Sequence, residues 1–317
     1  MHPRKLKEFQ GGFTIVELLV SLVISSLIVL AATSFFVGST RSRDTQDAAG
    51  LLQDNARFLT EIITKNIQQA GYQNYIANSA GAQGRREVYT PSDGEPDVRG
   101  YNNTAAGPST TDVTANGVHD RAANRVNNSD TLILRFQGSS TTTTSGTGTA
   151  TVTSHPADGS IIDCLGRPQP EPNTPGDRVY SIFEVQTGAG GEPELRCKYK
   201  NLTSGLSDVQ PIVRGVETFQ VMYGVDTDGD SFVDSWRNAK QVDTASQWTL
   251  VKSVRIGIVL RTPDRVIPNG STGTFSPLGA NFTQSTATDP GSQLIIGTND
   301  GRLRQVVTFT VNLRNQL

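Results

Sequence analysis

Gly11-Gly12-Phe13-Thr14-Ile15-Val16-Glu17 opens a segment that decides how the rest of the chain must be built. From Leu18 to Thr40 there are 23 consecutive residues without a charge, and Arg41 ends the run. At ~1.5 Å per residue this is roughly 35 Å of helix, enough to cross a hydrocarbon core of ~30 Å. Within the apolar zone that starts at Phe13, Glu17 is the only ionisable side chain. A carboxylate in hydrocarbon costs several kcal/mol, so one retained there points to a task. Arg4, Lys5 and Lys7 precede the zone and form a basic flank.

The short basic leader ending in Gly12, the Gly-Phe junction, and Glu17 as the fifth residue after it resemble the class III signal of type IV pilins. The resemblance implies a cut between Gly12 and Phe13 by a prepilin peptidase, with N-methylation of Phe13. It also implies that Glu17 pairs with the free amino group of a neighbouring subunit's first residue. A carboxylate and an ammonium attract strongly in low dielectric, and each alone carries a large desolvation cost, so such a pair would act as a register device. Two plainer readings fit less well. An ordinary secretory signal would place Glu17 in its apolar region, with only a poor small-residue cleavage site near Val29-Leu30-Ala31. A simple membrane anchor would make both the Gly-Gly-Phe and Glu17 coincidental.

The chain has 317 residues, room for a helix plus one generous globular domain or two small ones. The leader's three cations and one carboxylate carry +2, so the overall −2 becomes −4 without it. Basic residues do not cluster after Arg43, which argues against a nucleic-acid partner. An apolar share of 35% is low for a chain with a membrane segment, and with abundant Gly, Ser, Thr and Asn it reads as a secreted, β-rich head with long loops. Cys164 and Cys197 are the only two cysteines, which suits one disulfide in an oxidising compartment. Closing that loop is worth ~3–4 kcal/mol in the chain-entropy picture.

The expected organisation is a leader over 1–12, a long helix over 13–71 whose half 13–40 is transmembrane, and a head over 72–317. Ala48, Leu52, Ala56, Leu59, Ile63, Ile67 and Ala70 recur at three- and four-residue steps, an apolar stripe for the head to cover. Asp54, Arg57, Glu61 and Lys65 follow the same steps on another face, and Gly71 supplies a stop. Phe13 to Ala70 would form roughly 87 Å of helix. Many pilins carry a helix-bending Pro about twenty residues after the cut; here Ser34 stands near that place. Strands are expected at 131–136, with Leu132, Leu134 and Phe136 inward, at 178–186 and 194–200, at 216–223, and around 254–260 and 307–313. Segment 73–128 lacks periodicity and reads as either a long loop or a small irregular subdomain, and segment 263–298 reads as loop. Gly138 to Thr149 reads as a hairpin tip whose hydroxyls are either plain solvated groups or glycan acceptors.

The ending Phe309-Thr-Val-Asn-Leu-Arg-Asn315, the strand Asp130-Thr-Leu-Ile-Leu-Arg-Phe136 and the segment Tyr223-Gly-Val-Asp-Thr-Asp-Gly-Asp230 together look like the PilW family of minor pilins. That resemblance implies an α+β, type IV pilin-like fold, with the long N-terminal helix packed on an antiparallel β-sheet head. It implies a non-enzymatic assembly role, starting or capping a type IV pilus. The implied partners are other minor pilins, a major pilin, a prepilin peptidase, an inner-membrane assembly platform and a tip adhesin. The implied location is the inner membrane with the head in the periplasm, then the pilus tip. Two alternatives stay open: a J-type minor pseudopilin at the tip of a type II secretion pseudopilus, and a head that is itself an adhesin.

Asp226, Asp228, Asp230 and Asp234 stand at positions 1, 3, 5 and 9 of an acidic stretch with Gly229 inside it, the spacing of oxygen-rich calcium loops. Ser231 stands where such loops prefer Gly, and position 12 is Arg237 instead of a bidentate Glu. Calcium of modest affinity and a solvated acidic turn both remain readings of this stretch. His2, His119 and His155 are isolated, and there is no Gly-x-Ser-x-Gly, so no catalytic site emerges.

Overall fold

A computed structural model describes residues 12, 14–74, 76–77, 86–87, 91–103, 126–141, 143–145, 152–154, 156–172, 176–200, 207–267, 272–282, 289–298 and 300–315. The leader up to Gly11, Phe13, most of 78–125 and all three histidines lie outside those residues.

Helix α1 runs unbroken over Ile15–Gln69. Ser34 does not interrupt it; its hydroxyl folds back on the Leu30 carbonyl at 2.8 Å. The stop is local chemistry. Gly71 takes φ +75°, and its N–H donates to the Arg135 carbonyl at 2.9 Å. A Cβ there would sit 2.8 Å from an Asp97 carboxylate oxygen, so glycine is required twice over, by conformation and by space.

Among the described residues the strands that follow are, in chain order, β1 Ile76–Ala77, β2 Arg86–Glu87, β3 Val98–Tyr101, β4 Thr131–Phe136, β5 Thr143–Ser145, β6 Val152–Ser154, β7 Val179–Thr187, β8 Pro193–Lys200, β9 Ser207–Arg214, β10 Val216–Val225, β11 Ser235–Arg237, β12 Val251–Arg261, β13 Gly273–Phe275, β14 Leu294–Ile296 and β15 Arg304–Asn312. A short helix α2, Ala239–Thr244, begins in a capping box between Asn238 and Gln241. The strands form a five-stranded sheet in the order β3-β4-β7-β8-β9 and a four-stranded sheet β11-β10-β12-β15, both antiparallel throughout. The remainder pair as small hairpins, including β13–β14 inside 263–298, a segment the sequence marks only as loop.

One hydrophobic core holds both sheets together. Leu59, Ile63 and Ile67 of α1 join Leu132, Leu134, Phe183, Phe219, Val221, Ile256 and Ile258, all essentially inaccessible to water. The expected helix stripe is the face that packs, with Ile62 added to it.

Strand β4 departs from simple alternation, because all six of its residues are buried. Leu132 and Leu134 enter the main core, while Ile133 joins Tyr101 and Ile182 in a second, smaller cluster. Arg135, also inaccessible, belongs to a buried ionic network. Arg135 approaches Glu95, Arg178 pairs with Asp93 and Asp97, and Arg99 contacts Glu95 at 2.5 Å and Asp243 of α2 at 3.5 Å. Burial pushes the Arg135 guanidinium down to about 10, against the pull of Glu95 and Asp93. A second network clamps the β7–β8 turn to the four-stranded sheet. Glu192 takes Arg261 at 2.7 Å and Arg302 at 2.8 Å, while Glu217 takes Arg304 at 2.7 Å and Arg261 at 3.0 Å. Alternation cannot reveal either network, because a charged residue on a strand reads as solvent-facing by default.

Candidate functional site

The first functional element is the start of α1. Thr14 and Glu17 form a reciprocal pair: the Thr14 N–H and hydroxyl each donate to Glu17 Oε2 at 3.1 Å, and the Glu17 N–H donates to the Thr14 hydroxyl at 3.3 Å. This is the geometry of a capping box, and its Thr-x-x-Glu signature is legible in Thr14-Ile15-Val16-Glu17. Capping and subunit pairing use the carboxylate differently. Oε2 is committed to Thr14, whereas Oε1 accepts no hydrogen bond from any described residue. The cap therefore holds the side chain in the first turn and leaves one oxygen for an external donor.

From Leu18 to Val37 the helix offers no charged surface. Leu18, Leu19, Leu22, Val23, Leu27, Leu30, Phe35 and Phe36 are exposed around its full circumference. The serines and threonines in this stretch turn inward to backbone carbonyls one turn back: Ser21 to Leu18, Ser25 to Ser21, Thr33 to Val29. Hydroxyls satisfied within their own helix are compatible with an apolar surrounding. By length and composition this stretch is apolar enough to cross a membrane, and no part of it is buried among the described residues.

Cys164 and Cys197 are joined, with their Cα atoms 5.8 Å apart. The bridge ties the loop 156–172 to β8, and this loop grips the end of α1. Gln69 donates to the Ile162 carbonyl and accepts from its N–H at 3.2 Å, while Asn66 reaches the Asp163 carbonyl at 3.4 Å. Asp163 in turn organises the loop by accepting from the Leu165 and Arg167 N–H groups at 2.9 and 3.0 Å. Sequence reasoning paired the cysteines but missed what the loop holds. The signal was the amide pair Asn66 and Gln69 inside an otherwise apolar stripe.

The acidic loop follows β10. Asp226, Asp228 and Asp234 each bring a carboxylate oxygen within 4.8 Å of the others. Asp226 is buried, its oxygens accepting from the Gly229 N–H at 2.7 Å and the Ser231 N–H at 2.9 Å. Asp234 accepts from Thr227 through both its N–H and hydroxyl, which holds the carboxylate below its ordinary range. Asp230 does not join the cluster; its carboxylate turns to the Phe232 N–H at 2.8 Å. Ser231 has φ +72°, the left-handed conformation that explains the usual glycine there.

The helix start and the head together define a class: a type IV pilin-like protein. The model of the prokaryotic N-terminal methylation motif matches residues 9–33. The model described as type IV pilus-assembly protein W, PilW, matches residues 182–315, which include β7 to β15 apart from the first three residues of β7. On these matches the chain is type IV pilin-like, with a head that is similar to PilW over residues 182–315. A type IV-like pilin from Thermus thermophilus is similar in structure, with 13% sequence identity and a TM-score of 0.39 over 84% of this chain and 97% of that one. No curated protein matches the chain. The motif and the apolar helix fit membrane anchoring and a place in the pilus, and the family points to assembly with other pilus components.

Proposed function

We propose that this protein is a minor pilin that helps to start or cap a type IV pilus, entering the assembly through Glu17 and the exposed first half of α1. The observation that carries the reading is an apolar helix surface with no partner among the described residues and a single, half-used carboxylate at its first turn. Such a surface is stable only in lipid or among other apolar helices. Lipid can be exchanged for other helices at little cost, and the free Oε1 of Glu17 selects the position at which an incoming ammonium is neutralised. Phe13, freed by cleavage after Gly12 and N-methylated, supplies that ammonium from the neighbouring subunit. The head faces the periplasm before assembly. In the same proposal the loop at Asp226, Asp228 and Asp234 takes a calcium ion.

Mass spectrometry of the mature N-terminus tests the first step: the chain is expected to begin at methylated Phe13, and a start near Ala32 would overturn the proposal. Glu17→Ala tests the second. Membrane insertion is expected to stay intact, since a costly carboxylate is removed, while incorporation into pili falls. Incorporation at wild-type levels would refute the pairing role.

A further inference from the structure

The two large sheets protect their edges unequally. In the five-stranded sheet one edge, β3, has only four residues, and the other, β9, carries Pro211 and faces a register shift between Leu195 and Arg196. In the four-stranded sheet, β11 has only three residues. Short strands, prolines and bulges are how proteins blunt an edge against unwanted pairing. Strand β15 has none of these. It is nine residues long, pairs with β12 without a register shift, and from Gln305 to Asn312 contains neither charge nor proline.

The backbone phase of that edge is fixed. Leu313 donates to the Lys252 carbonyl, and Thr262 donates to the Leu303 carbonyl, at the two ends of the ladder. Odd-numbered residues therefore face β12, and antiparallel alternation turns the N–H and C=O groups of Val306, Thr308 and Thr310 outward. Among the described residues nothing hydrogen-bonds to these outward groups. Val306 and Thr308 border a groove of about 920 Å³ between β15 and the flank of α1. The α1 wall presents Arg57, Glu61 and Lys65, all exposed and none in an ion pair among the described residues.

We propose that β15 is a strand-addition site for an extended segment of a partner protein that carries acidic, basic and acidic side chains at alternate positions. An open ladder presents its outward N–H and C=O groups at the spacing that another extended backbone matches. The charge order comes from matching periods. Arg57 and Lys65 are two turns apart, about 12 Å along the helix, with Glu61 midway. Residues four apart on one face of a strand are about 13 Å apart, with one same-face residue between them. A strand laid in the groove thus meets cation, anion and cation in step. No stretch of this chain has an Asp/Glu-x-Lys/Arg-x-Asp/Glu pattern, which assigns the segment to another protein.

The test uses the full chain in detergent micelles and two labelled peptides, Thr-Glu-Val-Lys-Val-Glu-Thr and its charge-reversed form Thr-Lys-Val-Glu-Val-Lys-Thr, followed by fluorescence anisotropy. The first peptide is expected to bind at least tenfold more tightly than the second. Val306→Pro removes an outward donor without touching the β12 ladder, so it should abolish binding and leave the melting temperature unchanged. The double substitution Arg57→Glu, Lys65→Glu, on an exposed helix face, should reverse the preference between the peptides and serves even if the proline variant misfolds. Failure of both peptides to saturate, equal binding of the two, or wild-type binding by folded Val306→Pro would overturn the proposal. Self-association that Val306→Pro removes, with neither peptide bound, would assign the edge to a second copy and overturn it equally. None of these failures bears on the Glu17 reading, which is tested by filament incorporation.

Discussion

Within the single helix α1, Leu22, Leu27, Phe35 and Phe36 are exposed, whereas Leu59, Ile63 and Ile67 are wholly inaccessible. The residue types are alike; the spacing is not. The second half confines its large apolar side chains mostly to one stripe, with Arg57, Glu61 and Lys65 on another face, so one sheet surface can cover it. The first half is apolar all round, and a surface of that kind needs a surrounding, not a floor. The contrast separates two jobs carried by one element: residues after about 50 hold the head together, and residues before about 40 are held in reserve for lipid or for other subunits.

The sharpest way to break this comparison is to truncate one side chain in each half. Ile63→Ala is expected to cost about 2–5 kcal/mol of head stability, the range for a buried large-to-small change that leaves a cavity. Leu22→Ala should leave the head's thermal melting unchanged. Equal losses from both would mean that the first half is also part of the folded core. Next in size is the disulfide. Replacing Cys164 and Cys197 together by Ser should cost about 3–4 kcal/mol. Because the bridged loop grips Asn66 and Gln69, amide exchange should accelerate first in the last two turns of α1. Unchanged protection there would show that the core stripe alone fixes the helix end.

The pH dependence sharpens the comparison differently, since the ionic clamps lie in the head. Hydrogen bonds from Arg304 hold the Asp300 carboxyl down to about 2, against an ordinary value of 3.8. A depressed carboxyl contributes stability that is present above its unfolded value and lost as pH falls through the folded one. The window is therefore about pH 4 down to 2, and the contribution about 1–2 kcal/mol after solvent screening. Asp300→Asn should flatten that part of the head's stability curve. Helicity of residues 15–40 in micelles should not change over the same range.

Much of this division is legible in the sequence, because periodicity reports which faces are apolar. The stripe Leu52 to Ala70, the single cysteine pair and β4, β7, β8, β10, β12 and β15 are all legible there, with strand ends at most three residues off. What spacing does not report is how charged residues are shared between distant strands. Arg135, Arg178, Glu192 and Glu217 look like solvent-facing positions, and only the tertiary fold shows each gathered into a clamp. Edge status is equally hidden. The alternation of β15 matches that of a central strand, and its open side is a property of sheet order. Glu17 is the reverse case, because its capping role is written in a local signature. Its capping partner Thr14 stands three residues upstream.

The smallest effect expected is that of calcium on the head, and it tests whether the acidic loop is more than a turn. Asp226, Asp228 and Asp234 converge without a described cation between them, and the backbone N–H groups of Gly229 and Ser231 already satisfy Asp226. Those bonds reduce the mutual repulsion, so the loop can keep its shape without an ion, and calcium has little disorder to repair. The turned-away Asp230 and the missing position-12 carboxylate lower the affinity further. With a Kd of about 0.1–1 mM, 1 mM calcium would add about 0.4–1.4 kcal/mol through mass action. The head's melting temperature should rise slightly with calcium relative to chelator. Magnesium should substitute poorly, because it demands stricter octahedral geometry. Asp228→Ala should remove most of the difference, since Asp228 is exposed and contributes little else to the fold. Superimposable melting curves with calcium and with chelator would leave the loop as a self-bonded turn, and would confine the dependence on outside partners to the first half of α1 and the open edge of β15.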